Sequence, residues 1–350
     1  MDRKAGTKTL NGKPHIESIE PACALPGGEV RITGSGLRPV ELRRPRVEFG
    51  DVTGSVVISS EQFIVARVPE GAATGEVIVA INGHRSNPRE LSIAVPIAEN
   101  LHPVANPALD ADGNIYVTFS GSRGQKVPVA VYRIDTNYNV KPFVHEMMNA
   151  TGLAFDHTGN LYVSSRFDGT VYRVAQSGAL TSYAEGMGIA TGMAFDQAGN
   201  LYVGDRSGTI FKIGHDRQIF VFAMLEPSVA AYHLAFGNNG NLYVTGPTTS
   251  SFDAVHQIDP HGEVSVFYRG LGRPQGLAVD AHGNLYVAAS LNGRRGIVKI
   301  TPNHQASLVV SGHNLVGLAF APGGAAVLAT TNAVHHLSWS IEGRHIVPEA

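Results

Sequence analysis

The 350-residue chain balances 27 basic against 29 acidic side chains for a net charge of −2, so as a whole it is no electrostatic attractor for nucleic acid or an anionic membrane. Charged residues make up only 16% of it, while 40 glycines and 19 prolines supply turns to a chain that is 43% apolar, a composition that suits an all-β protein with a full core. The single cysteine, Cys23, excludes an internal disulfide and a cysteine-built metal cage, and no run of about 18 apolar residues marks a membrane span.

In chain order, residues 1–13 read as a disordered tail. No apolar segment of the kind a secretory signal needs is visible there, which predicts a cytoplasmic protein unless the N-terminus is processed or truncated. Residues 14–96 then carry short apolar runs separated by turn residues. The first run ends at Pro26-Gly27-Gly28, the second at Gly34-Ser35-Gly36, and "RVEFGD", "FIVARVP" and "GEVIVAIN" follow. Strands at this spacing predict a small β-sandwich. The features Ile16-x-x-Ile19-x-Pro21, "PGG", "ITGSGL", "VEFGD", "ARVPEG" and "GEVIVAINGHRSN" resemble an IPT/TIG domain, an immunoglobulin-like module. That resemblance implies a spacer or association role rather than catalysis.

From residue 97 to 350 the chain repeats. A Gly-Asn or Gly-Gly pair ends at Asn114, Asn160, Asn200, Asn241, Asn284 and Gly324, about 40 to 46 residues apart. A period of that length with strand-like content predicts a propeller whose blades have four strands each. In the second unit the strands fall near "GLAFD", "NLYVSS", "TVYRVA" and "ALTSYAE". The turn "DHTGN" needs Asp156 to accept turn amides and Gly159 to adopt positive φ. Asp110/Gly113, Asp196/Gly199 and Asp280/Gly283 repeat the pair; Gly237 replaces Asp in the fourth unit, and the sixth reads "APGG". Consecutive apolar residues such as Leu161, Tyr162 and Val163 predict sheets covered on both faces, as stacked blades are. Tyr116, Tyr162, Tyr202, Tyr243 and Tyr286 share one position, and inter-blade packing accounts for their recurrence better than an aromatic ligand ring. The five segments "ALDADGNIYV", "GLAFDHTGNLYV", "GMAFDQAGNLYV", "HLAFGNNGNLYV" and "GLAVDAHGNLYV" resemble NHL repeats and the related gluconolactonase-type six-bladed propellers. The expected fold is therefore all-β: an Ig-like β-sandwich followed by a six-bladed β-propeller.

The sequence contains none of the motifs G-x-S-x-G, G-x-x-x-x-G-K-[ST], H-E-x-x-H or complete G-x-G-x-x-G. Propeller enzymes gather ligands from several blades at the channel mouth, where each innermost strand begins. By repeat alignment those positions are Ala105, Thr151, Thr191, Tyr232, Gln275 and Val316. The gluconolactonase resemblance implies a divalent ion held there by carboxylates and an Asn. Its Glu-Gly-Pro corresponds to Ala105-Asn106-Pro107, its Pro-Asp-Gly to Pro274-Gln275-Gly276 and its Asn to Tyr232, so a neutral amide is what remains. Lyase-type relatives would place a zinc-binding His in this ring; none of the six positions is His, and His233 is one residue out of register. The remaining histidines are scattered: His157, His261 and His282 in turns, His335 and His336 on opposite sides of one strand, His102 and His313 nearer the entrance.

Loops between second and third strands open on the same side as the ring. They carry Arg123, Lys126, Arg166, Arg206, Arg294 and Arg295 against Asp168, Asp205 and Asp253, a positive surplus that can attract an acidic partner or ligand. No aromatic residues interleave to stack bases, so nucleic acid is disfavoured. The sequence thus predicts a non-catalytic protein without a cofactor. It would bind a protein or small ligand through Thr151, Thr191, Tyr232, Gln275, Arg123, Arg166, Arg206, Arg294 and Arg295. The alternative is a divergent gluconolactonase-like hydrolase or lyase using a divalent metal such as calcium.

Overall fold

In a computed structural model of the chain, residues 13–39, 44–119, 121, 126–250 and 252–344 are described. The expected tail, save Lys13, and the site candidate Arg123 lie outside them. Every regular element among the described residues is a strand. The chain divides into two compact units: Met1–Ala94 with Val309–Gly312, and Val95–Leu308 with His313–Ala350.

The first unit is a β-sandwich. One sheet runs His15–Glu20, Glu29–Ser35, Phe63–Arg67, Val52–Ser59, all antiparallel. The other pairs Arg46–Phe49 with Gly75–Ile81, which pairs in turn with Arg89–Ile93; Cys23–Ala24 runs parallel to Ser92–Ile93. Strict alternation along Glu29–Ser35 and Gly75–Ile81 turns Val30, Ile32, Val77, Val79 and Ile81 inward onto Ile16, Phe49, Ile64 and Leu91. Cys23 is buried and free; burial, only partly offset by a hydrogen bond with Ser92, pushes its thiol up to about 11, which keeps it protonated and unreactive.

The second unit is a β-propeller of four-stranded antiparallel blades. Blade 1 is Ala108–Leu109, Ile115–Thr118, Val129–Ile134, Val140–His145. Blade 2 is Ala150–Phe155, Leu161–Ser165, Val171–Val174, Leu180–Ala184. Blade 3 is Ala190–Phe195, Leu201–Asp205, Thr209–Ile213, Ile219–Met224. Blade 4 is His233–Phe236, Leu242–Thr245, Asp253–Ile258, Val264–Gly272. Blade 5 is Leu277–Val279, Leu285–Leu291, Arg294–Ile300 and the outermost strand Ala306–Ser311, whose last three residues group with the first unit. Blade 6 takes Leu315–Ala321, Ala325–Thr330 and Ala333–Ser338 from the end of the chain. Its outermost strand is Val95–Glu99, paired antiparallel with Ala333–Ser338. The ring is therefore closed by the segment that enters the propeller, and no blade-6 edge strand of its own is needed.

The repeated Asp-x-x-Gly-Asn-x-Tyr is one hydrogen-bonded device. In blade 3, Asp196 Oδ1 accepts the Asn200 amide at 2.8 Å, and Oδ2 accepts Asn200 Nδ2 at 2.8 Å and the Tyr202 hydroxyl at 3.2 Å. Blades 1, 2 and 5 repeat the Asp–Asn–Tyr set at Tyr116, Tyr162 and Tyr286. Blade 4 has Gly237 at the Asp position, and Asn239 takes over: its Oδ1 accepts the Asn241 amide and its Nδ2 donates to the Tyr243 hydroxyl at 3.3 Å. Each tyrosine ring then packs edge-on against aromatic neighbours. Tyr202 meets Phe222 of its own outermost strand and Phe236 of blade 4, and Tyr162 meets Tyr183 and Phe195 in the same way. Such pairs contribute about 0.5–1.5 kcal/mol each beyond burial. Trp339, the only tryptophan, fills the corresponding place between Tyr286 and Phe320. The tyrosine ladder is thus the inter-blade packing that its periodicity predicted.

Candidate functional site

Each innermost strand runs from the loop face, where second and third strands are connected, to the turn face, where the Gly-Asn turns lie. Thr151 and Thr191 stand at its start, yet each is only 1% exposed. Thr191 Oγ1 donates to the Gly204 carbonyl at 2.7 Å and accepts the Tyr232 amide at 3.1 Å. Thr151 Oγ1 donates to the Asn149 carbonyl at 3.1 Å. Both hydroxyls are committed to the scaffold, which is a different place from the open channel mouth expected of them. Tyr232, 2% exposed, donates its hydroxyl to the Glu226 carbonyl. Burial, with Glu226 and Asp205 nearby, raises that hydroxyl to about 12. Gln275 is half-buried; its amide donates to the Ala288 carbonyl at 2.9 Å and its own carbonyl accepts Thr245 Oγ1.

The reason lies in how closely the innermost strands approach. Gly192 N donates to the Tyr232 carbonyl at 2.9 Å and Gly276 N to the Val316 carbonyl at 3.0 Å, so neighbouring blades hydrogen-bond strand to strand. Glycine permits this, because a Cβ at Gly192 would run into Tyr232 O and lie 2.9 Å from His233 Cα. Asn106 completes the seam. Its Nδ2 donates to the Leu277 carbonyl of blade 5 at 2.8 Å and its Oδ1 accepts the Leu318 amide of blade 6 at 3.1 Å. One side chain just ahead of blade 1 thereby ties blades 5 and 6 together. Its sequence signal is only an Asn before Pro107, and the contacts span 171 and 212 residues.

The ring does not fit a divalent ion. Ala105 and Val316 are buried apolar residues, the polar groups of Thr151, Thr191 and Asn106 are bonded within the protein, and hard cations need clustered oxygen ligands with carboxylates among them. Among the described residues no group of three or more His, Cys, Asp or Glu is placed to hold a metal. His233 is buried beside this seam, and burial alone pushes it down to about 4 from 6.5. It stays neutral in the fold, whereas the unfolded chain binds a proton below about 6.5. The stability this contributes is therefore complete above pH 6.5 and is lost as pH falls toward 4, by about 3 kcal/mol at roughly 1.36 kcal/mol per pH unit. Denaturation midpoints at pH 7.5 and 4.5 should show a smaller acid-induced loss in His233→Gln than in the wild type. Equal losses would remove His233 from the account.

On the loop face the aspartates hold their own loops. Asp205 accepts the Ile189 amide at 2.8 Å and the Ser207 hydroxyl. Asp253 accepts the amide and hydroxyl of Thr248 at 3.0 and 2.7 Å. Asp168 accepts the Thr170 amide and the Tyr172 hydroxyl. Arg166 reaches the Gly121 carbonyl and Arg206 the Ser228 carbonyl, both at 3.5 Å. Arg294 and Arg295 sit on a strand hairpin rather than a loop: Leu291 pairs with Arg294 across an Asn292-Gly293 turn with φ of 50° and 79°, the Asn-Gly signature of a tight hairpin. Between these basic positions the loops expose residues that sequence reading passed over: Phe167 at 53%, Val229 at 44% and Phe252 at 66%. The signal was present, since an aromatic residue stood inside "SSRFDG" and "TTSSFDA", where turn chemistry does not need one. On this face Arg166 and Arg206 are half-buried and Arg295 is exposed, and Phe167, Val229 and Phe252 are exposed there as well.

An all-β chain of this kind is defined by a TIG-type sandwich followed by a propeller. Residues 14–93 match the family model of the IPT/TIG domain. No curated protein sequence matches the chain significantly. Among solved structures, the chain is similar to a protein of unknown function from Bacteroides thetaiotaomicron VPI-5482, with a TM-score of 0.57 and 15% identity over 95% of this chain and 99% of that one. A gluconolactonase-like protein gives a TM-score of 0.61 and 17% identity over 73% of this chain and 94% of the other. An auxiliary nutrient binding protein from the same Bacteroides strain gives 0.55 and 11% over 93% and 98%. At these identities the likeness is one of fold.

Proposed function

We propose that the chain is a non-catalytic binding protein whose NHL-like propeller offers its loop face to a protein or small-molecule ligand, with the TIG domain as spacer or association module. The observation that carries this reading is the exposure of Phe167, Val229 and Phe252 on the face that also bears Arg166 and Arg206, with Phe167 directly following Arg166. Aromatic and arginine side chains are what binding surfaces concentrate, and an unliganded fold gains nothing by keeping a phenylalanine in water. The fold likeness to an auxiliary nutrient binding protein accords with it. The gluconolactonase-type hydrolase is the weaker reading because the ring positions offer amides, buried hydroxyls and apolar groups where that chemistry needs carboxylates.

The test is capture by immobilised protein from extract of the source cells, quantified by mass spectrometry. Phe167→Ser with Phe252→Ser, and separately Arg294→Glu with Arg295→Glu, should each cut the enriched species at least tenfold without lowering the melting temperature. Unchanged capture by both double variants would sink the loop-face proposal. A stoichiometric divalent ion in the purified protein would favour the hydrolase instead.

A further inference from the structure

On the opposite, turn face of blades 1 and 2 there is a cleft of about 840 Å³, a volume suited to a small molecule. Tyr116, Phe143, Phe155 and Tyr183 give it aromatic walls, and Thr158 and Ser182 add hydroxyls. Three guanidiniums from three successive blades line it: Arg133, Arg173 and Arg217.

Among the described residues none of the three makes an ion pair. Arg133 Nε is buried without a hydrogen-bond partner. Arg173 Nη2 donates to Asn160 Oδ1 at 2.6 Å, a neutral amide. Arg217 lies over the Tyr183 ring, 5.3 Å from its centroid. Among the described residues the ion pairs involve other arginines and lysines. Asp110 and Asp112 also line the cleft. The Asp110 carboxylate is already engaged by the amides of Asp112 and Asn114, by Asn114 Nδ2 and by the Tyr116 hydroxyl, and Asp112 is exposed.

A cation at this strand position has a structural use in other blades. Opposite the repeated tyrosines stand Arg133, Arg173, Lys212, Gln257 and Lys299. The ammonium groups of Lys212 and Lys299 sit over Tyr202 and Tyr286 at 5.5 and 5.8 Å. Among the described residues Arg133 and Arg173 make no such ring contact. Among these five described positions only the adjacent blades 1 and 2 carry arginine, and Arg217 joins them from the next blade's turn. Guanidinium, unlike ammonium, presents a planar fork that matches an oxyanion and is weakly enough hydrated to be used in a half-buried cleft.

We propose that this cleft is a second ligand site, taking a small molecule whose oxyanion, a carboxylate or a phosphate, is held by Arg133, Arg173 and Arg217 while its apolar ring rests against Tyr116 and Tyr183. It is independent of the loop-face reading. Isothermal titration of the full chain with benzoate and with phenyl phosphate, against chloride at matched ionic strength, distinguishes the two oxyanions. At least one should bind saturably at millimolar or lower concentration. Arg173→Gln with Arg217→Gln, both at exposed positions, should weaken it at least tenfold, and Arg133→Met should do so as a separate variant. Phe167→Ser with Phe252→Ser should leave it unchanged. Absence of saturable binding by both probes would overturn the proposal, as would binding that survives the loss of Arg173 and Arg217.

Discussion

Replacing Gly276 with alanine is expected to destabilise the propeller by more than 3 kcal/mol, or to prevent its soluble expression. The added Cβ would collide with Asn106 Oδ1 and lie 2.5 Å from Gly317 Cα and 2.7 Å from the Val316 carbonyl. These are backbone atoms and a side chain already fixed by two hydrogen bonds, so no flexible neighbour can give way, and overpacking of this kind costs at the upper end of the usual range. The same methyl would break the Gly276–Val316 strand contact that joins blade 5 to blade 6. Urea unfolding followed by tyrosine and tryptophan fluorescence measures the effect. A loss under 1 kcal/mol would mean that the blades do not meet as tightly as described. Asn106→Ala, which deletes the stitch without adding bulk, should cost less, about 2 kcal/mol.

Asp280→Ala should be nearly as damaging, at about 3 kcal/mol. Its Oδ1 accepts the amides of His282 and Asn284 at 2.9 and 2.8 Å, and its Oδ2 accepts Asn284 Nδ2 at 2.7 Å and the Tyr286 hydroxyl at 3.1 Å. Hydrogen bonds to a charged group are the stronger kind, and a buried hydroxyl left alone adds a desolvation cost. Burial first, and the Asp280 charge second, raise the Tyr286 hydroxyl well above its ordinary value, so it remains a donor throughout the physiological range. Tyr286→Phe alone should cost about 1 kcal/mol. In a double-mutant cycle the two changes should be non-additive by about that amount; strict additivity would show that the tyrosine–aspartate bond carries no energy. Blade 4 is the natural counterpart, since with Gly237 at that position the chain places Asn239 within reach of Tyr243.

The division of labour between these residues explains what could be read in advance. Asp156, Gly159 and Tyr162 repeat at a fixed spacing because their contacts are local or with the next blade, so period, turn type and tyrosine packing were all legible. Asn106 and the Val95–Glu99 strand act across most of the propeller and leave no local pattern. Thr151 and Thr191 stand near the head of their innermost strands, but whether a hydroxyl there meets a ligand or a neighbouring carbonyl depends on inter-blade distance, which repeat alignment does not contain. The arginine cleft was invisible for the same reason: Arg133, Arg173 and Arg217 are about 40 residues apart along the chain, and only blade stacking makes them neighbours.

Composition, turn residues and the 40-residue period by themselves determined an all-β chain with a small sandwich ahead of a propeller, because hydrogen bonds in turns and burial within blades are set by residues a few positions apart. Tertiary structure alone decided that the entering strand closes the ring, that glycine lets the innermost strands meet and Asn106 fastens them, and that the loop face exposes Phe167 and Phe252. Those outcomes depend on distances between blades, and such distances arise only when the repeats stack.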